Sequence, residues 1–134
     1  MMDESKLSII KHRREKAFTT LQEVEKLLES NLLNLAMNRI YYAGFYIVNA
    51  LSIIDNFSTS KHKQLIGYFN KNYIHSGKID LDIGDILNIA YRKRTSIDYH
   101  DFATVTKNEV LTYFEQMKIF VSEVDILIDE KLKS

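Results

Sequence analysis

Chain-turning residues are so scarce here that they constrain the fold before any pattern is read. Across 134 residues there is no proline, and the only glycines are Gly44, Gly67, Gly77 and Gly84. An all-β chain of this size would need many more turn residues, so the expectation is an all-α fold. The composition is ordinary for a globular chain, with 46% apolar and 27% charged residues. At this length, residues 1–134 form one domain that buries roughly two-thirds of its unfolded surface.

Apolar spacing then divides the chain into helices. Ile10, Ala17, Leu21, Val24 and Leu28 make one stripe in a first helix over about Glu4 to Glu29. A break comes at Ser30-Asn31, and either residue could cap the next helix. A second helix over about Asn31 to Asp55 is apolar nearly all round, the mark of a central helix. One side carries Ala36, Ile40, Ala43, Ile47, Ala50 and Ile54, and the other Tyr41, Tyr42, Phe45 and Val48. Ser60 suits the cap of a third helix reaching about Tyr73, and Gly77 lies in the loop after it. Asp80 or Asp82 could cap a fourth helix ending near Arg94, which leaves Thr95 to Val105 as the long connection. Thr106-Lys107-Asn108-Glu109 reads as a capping box opening the last helix. Its seam of Val110, Phe114, Met117, Val121, Val124 and Ile128 is the cleanest in the chain.

Lys+Arg and Asp+Glu are balanced at 18 each, so a nucleic-acid partner would have to be met by a local basic patch. Without cysteine there are no disulfides and no thiolate metal sites, which is compatible with a reducing cytoplasm. His12, His62, His75 and His100 are not at helical ligand spacing, and no metal or cofactor is expected. No apolar run approaches about 20 residues, and the first residues lack a signal-peptide core, so no membrane association is expected.

The chemistry concentrates in Arg92-Lys93-Arg94-Thr95-Ser96-Ile97-Asp98-Tyr99-His100. A guanidinium can hold a phosphate in a bidentate fork, and an imidazole moves a proton near neutral pH. Asp98 could orient His100 or hold Arg94, and Tyr99 could touch phosphate or anchor the loop. Asn38 and Arg39 are polar residues in an apolar helix, which need partners there. The preferred reading makes them buried partners of the Arg94 segment; the other places them in a nucleotide-facing cleft. Tyr41, Tyr42, Phe45 and Tyr46 could stack on bases, although aromatics at helical spacing usually belong to a core. Lys61 and His62 stand where a helix N-terminus already favours an anion, so phosphate contact is an option for them.

Asn38-Arg39-Ile40-Tyr41-Tyr42-Ala43-Gly44-Phe45, Ser60-Lys61-His62-Lys63, Phe69, Gly77-Lys78 and Arg94-Thr95-Ser96-Ile97-Asp98-Tyr99 with Phe102 carry a resemblance. In this order and separation they resemble the HEPN domains (higher eukaryotes and prokaryotes nucleotide-binding), particularly the small single-domain prokaryotic branch. The resemblance runs from about Leu7 to Leu132. It implies an up-and-down bundle of four main helices with a short extra one, and usually a homodimer. It also implies a metal-independent endoribonuclease of toxin-antitoxin or defence type, often encoded beside a minimal nucleotidyltransferase antitoxin. In catalytic members an arginine is followed after four to six residues by a histidine, and Arg94 and His100 fit that spacing. On this reading Arg94 and His100 are the acting pair, Asp98, Tyr99, Asn38 and Arg39 support them, and Arg92, Lys93, Lys61 and His62 contact nucleic acid. The alternative is a non-catalytic RNA- or nucleotide-binding module, or a dock for the nucleotidyltransferase; a third option is a purely structural network.

Overall fold

The computed structural model describes residues 3–99 and 104–134, with Tyr99 described for its backbone alone. His100 and Phe102 therefore lie outside the described residues. Five α-helices, and no strand among the described residues, make the fold all-α.

Helix α1 spans Glu4–Glu29, and its first turn is capped by the Asp3 carboxylate, which accepts the Lys6 N–H at 2.8 Å. The expected stripe is the buried one, joined by Thr20. Helix α2 spans Leu33–Ile54, and neither Ser30 nor Asn31 caps it. Asn31 instead takes the left-handed conformation, φ 57°, that closes α1, a role asparagine tolerates better than most residues. Asn56, at φ 62°, does the same after α2.

Helix α3 spans His62–Phe69, and a π-helical turn over Asn70–Ile74 extends it to about the expected end. Its N-cap is Lys61, not Ser60. The Thr59 hydroxyl serves this helix start, accepting the Lys61 N–H at 3.1 Å and donating to Gln64 Oε1 at 2.7 Å.

Helix α4 spans Leu81–Tyr99, so the stretch expected to open the long connection is helical for five more residues. Nothing in residues 95–99 breaks a helix: there is no glycine or proline. Thr95 satisfies its hydroxyl on the Tyr91 carbonyl one turn back, at 2.8 Å. Helix α5, Lys107–Lys133, opens with the expected capping box, Thr106 and Glu109 exchanging bonds at 3.0 and 3.1 Å.

The helices run up and down around α2. Lys6 at the start of α1 bonds Asn56 just past α2, and Arg14 reaches Asp125 and Asp129 of α5 at 2.6 Å each. Lys131 at the end of α5 reaches Asp55, again at the end of α2. So α1 is antiparallel to α2 and α5, while α2 and α5 run the same way. Ala36, Met37, Ile40, Tyr41, Ala43, Ile47, Val48, Ala50 and Leu51 of α2 are all fully buried. Gly44 is needed for this packing, because a Cβ there would stand 2.8 Å from Met117 Sδ and 2.9 Å from Leu87 Cδ1. The antiparallel course of α4 brings its C-terminal half, with Arg94, back beside the first turns of α2.

Candidate functional site

Tyr41 and Tyr42 are neighbours in α2, so their side chains leave the helix about 100° apart. Tyr41 points into the bundle and is fully buried, while Tyr42 is half-buried at its edge. Around the Tyr42 ring three nitrogenous groups converge. The Arg39 guanidinium carbon is 4.8 Å from its centroid, that of Arg94 is 5.2 Å away, and the His62 ring meets it edge-on at 5.5 Å. Arg94 is also 5.2 Å from the Tyr41 ring, so one guanidinium spans both tyrosines. An aromatic face attracts a cation by about 0.5–1 kcal/mol where exposed and more where desolvated.

His62 opens α3 and lies over Phe45, with ring centroids 4.2 Å apart and planes 19° from parallel. Its Nδ1 shares a 2.6 Å hydrogen bond with the Tyr41 hydroxyl. Burial, and after it the Arg94 charge, pushes the imidazole below its ordinary value of 6.5, which favours its neutral form. Burial also pushes the Tyr41 phenol well up, against the opposing pull of Arg94, so it stays protonated.

Among the described residues one carboxylate faces this group. Asp98 lies one helical turn past Arg94 because α4 continues through it, and its Oδ2 is 3.2 Å from Arg94 Nε. The pair is within ion-pair distance but out of alignment for a hydrogen bond, and among the described residues Arg94 Nε has no hydrogen-bond partner. Arg39 gives two hydrogen bonds to the Asn38 amide oxygen, at 3.2 and 3.1 Å. Asn38 thus orients Arg39, where the sequence reading preferred it as a partner of the Arg94 segment. The chain has no net charge, yet among the described residues two guanidinium groups face a single carboxylate here, and that imbalance suits an anion.

The other candidates are more dispersed. Arg92 and Lys61 are exposed, and Lys93 sits 3.3 Å from Glu109 of the capping box. Among the described residues no three His, Cys, Asp or Glu side chains gather as metal ligands. No described helix is long and apolar enough to cross a membrane.

A groove of about 640 Å³ opens on the α1 side of Phe45. Lys6, Arg13, Tyr46, Asn49 and the hydroxyls of Ser58, Thr59 and Ser60 line it. Arg13 Nε bonds Asn49 Oδ1 at 2.8 Å. Sequence reasoning missed this groove and missed the Tyr41–His62 bond. Both join segments far apart in the chain (21 residues in the case of Tyr41 and His62), and no local pattern signals such a pairing.

Comparison with known proteins agrees with the all-α fold. The HEPN domain family model matches residues 10–127. A UPF0332 protein of Thermotoga maritima is 30% identical over 125 residues, covering 93% of this chain and 95% of that one. Two Methanocaldococcus jannaschii proteins that carry the name "Putative toxin" are each 30% identical. One match covers 81% of this chain and 74% of the relative, the other 84% and 83%. The family match covers nearly the whole length of the helical bundle, and the chain belongs to the HEPN domain family.

Proposed function

We propose that this protein acts on RNA, holding a backbone phosphate between Arg94 and Arg39 and cleaving beside it. The observation that carries the reading is the gathering of two guanidinium groups and an imidazole around the Tyr42 ring, opposed among the described residues by the Asp98 carboxylate alone. A phosphodiester supplies balancing negative charge, and the half-buried Tyr42 ring suits an unpaired base. The names of the Methanocaldococcus relatives support a toxin role.

In the reaction the RNA 2′-oxygen attacks the adjacent phosphorus, the bond to the 5′-oxygen breaks, and a 2′,3′-cyclic phosphate and a 5′-hydroxyl result. Arg94 stabilises the charge that builds on the phosphoryl oxygens, an interaction worth about 2.7–4 kcal/mol per donor in comparable sites. The spacing-based partner for Arg94 is His100, which lies outside the described residues. A homodimer and a minimal nucleotidyltransferase antitoxin are the protein partners that go with this reading.

The test is incubation of purified protein with mixed-sequence RNA in excess EDTA, with analysis of the ends. The expected result is cyclic phosphate ends from the wild type and a loss of about 100-fold or more in Arg94→Gln. Intact RNA with folded wild-type protein rejects the ribonuclease reading.

The groove beside Phe45 favours a second reading, a module that binds RNA or nucleotide without cleaving it. Lys6, Arg13 and three hydroxyls there offer phosphate contacts but no group poised for proton transfer. That reading expects affinity that falls with salt and survives His100→Ala.

A further inference from the structure

We propose that the partly exposed edge of α2 is a track for a strand of unpaired RNA, running from the Arg94 site to the groove beside Phe45. The inference rests on the RNA-acting reading above and adds to it the path of the strand and the residues along it. A single phosphate between Arg94 and Arg39 would not tell RNA from any other phosphate ester, whereas a track several nucleotides long would.

From Arg39 to Ile53 the residues of α2 that stay partly exposed are Arg39, Tyr42, Tyr46, Asn49 and Ile53. Their steps of three and four place them in one row along the helix. A succession of cations lies against that row. The Arg39 guanidinium carbon is 4.8 Å from the Tyr42 centroid, and Lys16 Nζ is 4.6 Å from that of Tyr46. Arg13 Nε donates to Asn49 Oδ1 at 2.8 Å, and Lys6 bonds Asn56 just past the helix end. Lys6, Arg13 and Lys16 come from α1, so the antiparallel packing of two helices builds the row. Among the described residues no carboxylate is within ion-pair reach of Lys6, Arg13, Lys16 or Arg39. Arg14, also on α1, is the contrast: it is paired with both Asp125 and Asp129.

Unpaired nucleic acid is held by this combination, cations that follow the backbone with aromatic rings between them for the bases. The rings here are Tyr42 and Tyr46, with centroids 5.8 Å apart. At the groove end the hydroxyls of Ser58, Thr59 and Ser60 join Lys6 and Arg13. The terminal nitrogens of Arg13 have no hydrogen-bond partner among the described residues, which leaves them to a phosphate. Between residues 39 and 56 a helix advances about 25 Å. A stacked strand advances about 3.4 Å per nucleotide, so the track holds about seven. A duplex keeps its bases stacked inside and cannot offer them to the tyrosines.

The experiment measures binding of single-stranded RNAs of three to twelve nucleotides, an RNA duplex and a polyglutamate chain, over a range of salt concentrations. The proteins are wild type, Arg13→Gln, Lys16→Gln, Tyr46→Leu, Arg94→Gln and, as a control cation on α5, Lys118→Gln. Thermal melting is followed on the same samples. Wild-type affinity is expected to rise with length and level off near seven nucleotides, with the duplex weaker than the single strand. Arg13→Gln and Lys16→Gln are each expected to bind a long RNA less tightly, with a log–log salt slope shallower by about 0.7. Tyr46→Leu is expected to lose about fivefold or more in affinity for the long RNA. The three-nucleotide RNA is expected to depend on Arg94 and hardly on Arg13 or Lys16, and Lys118→Gln is expected to match wild type throughout.

Affinity that does not grow with length overturns this inference. So does wild-type affinity and slope in Arg13→Gln and Lys16→Gln while Arg94→Gln is weakened, and that result leaves the RNA-acting reading standing. Should Tyr46→Leu melt lower, the two cation variants decide alone. Polyglutamate bound as tightly as the long RNA, and through the same residues, assigns the edge to an acidic protein segment and overturns the inference as well. Folded wild-type protein that binds no RNA rejects the RNA-acting reading itself, and the track with it.

Discussion

Arg94 rests over two tyrosine rings while its Nε faces Asp98 without a hydrogen bond, and this half-satisfied state distinguishes it from the structural ions of the same protein. Asp55 is the contrasting case. Burial alone would raise its carboxyl, but hydrogen bonds from Tyr68, Tyr73 and Lys131 more than offset that and hold it below its ordinary value. A carboxyl depressed in the folded state contributes stability that is present above its unfolded pKa of about 3.9 and is lost as pH falls through the folded value. Asp55→Asn is therefore expected to be less stable than wild type near neutrality, and the gap is expected to narrow in acid below about pH 4, as followed by urea melts across pH. His62 obeys the opposite chemistry with the same direction: its imidazole is depressed, so the folded state gains as pH rises toward about 6.5. An NMR titration is expected to place its midpoint below that value. Arg94→Gln removes the smaller of the two causes, leaving burial, and is expected to move the midpoint part of the way back up. A midpoint at or above about 6.5 in wild type would show that the ring is neither buried nor near the guanidinium.

At the scale of elements, the helices were largely legible and their ends were not. The stripe of α5 alternates three- and four-residue steps, and that of α1 does so after one seven-residue step, so tertiary packing and periodicity agree. The capping box before α5 was legible because both of its partners are local. Thr106→Ala is expected to cost about 1 kcal/mol in denaturant unfolding, and Thr106→Ser much less. Ends that depend on distant contacts were misread. Asn31 closes the helix before it instead of capping the one after it, and Lys61 takes the place assigned to Ser60. The largest difference concerns α4, whose extension to Tyr99 moves Asp98 onto the face of Arg94. The polar run Arg92–Ser96 resembles a loop by composition, and one turn of helix held by the bundle outweighs that weak local signal.

At the scale of the whole molecule, a neutral chain concentrates more positive than negative charge, among the described residues, at the start of α2, where α3 and α4 converge on it. The sequence reading already joined Arg39 to the Arg94 segment but kept His62 apart as a phosphate contact, and the up-and-down course of the bundle shows that Tyr42 joins all three. The groove holding Lys6 and Arg13 lies across Phe45 from the same imidazole, so the basic surface continues along α1. Both functional readings require that this surface hold RNA phosphates, which makes affinity the most direct test. The measurement is binding of a short single-stranded RNA to wild type and to Arg94→Gln over a range of salt concentrations. The account predicts weaker binding by Arg94→Gln at low salt and a log–log salt slope shallower by about 0.7, the value for one lost phosphate contact on a single strand. Equal affinity and equal slope in the two proteins would contradict it.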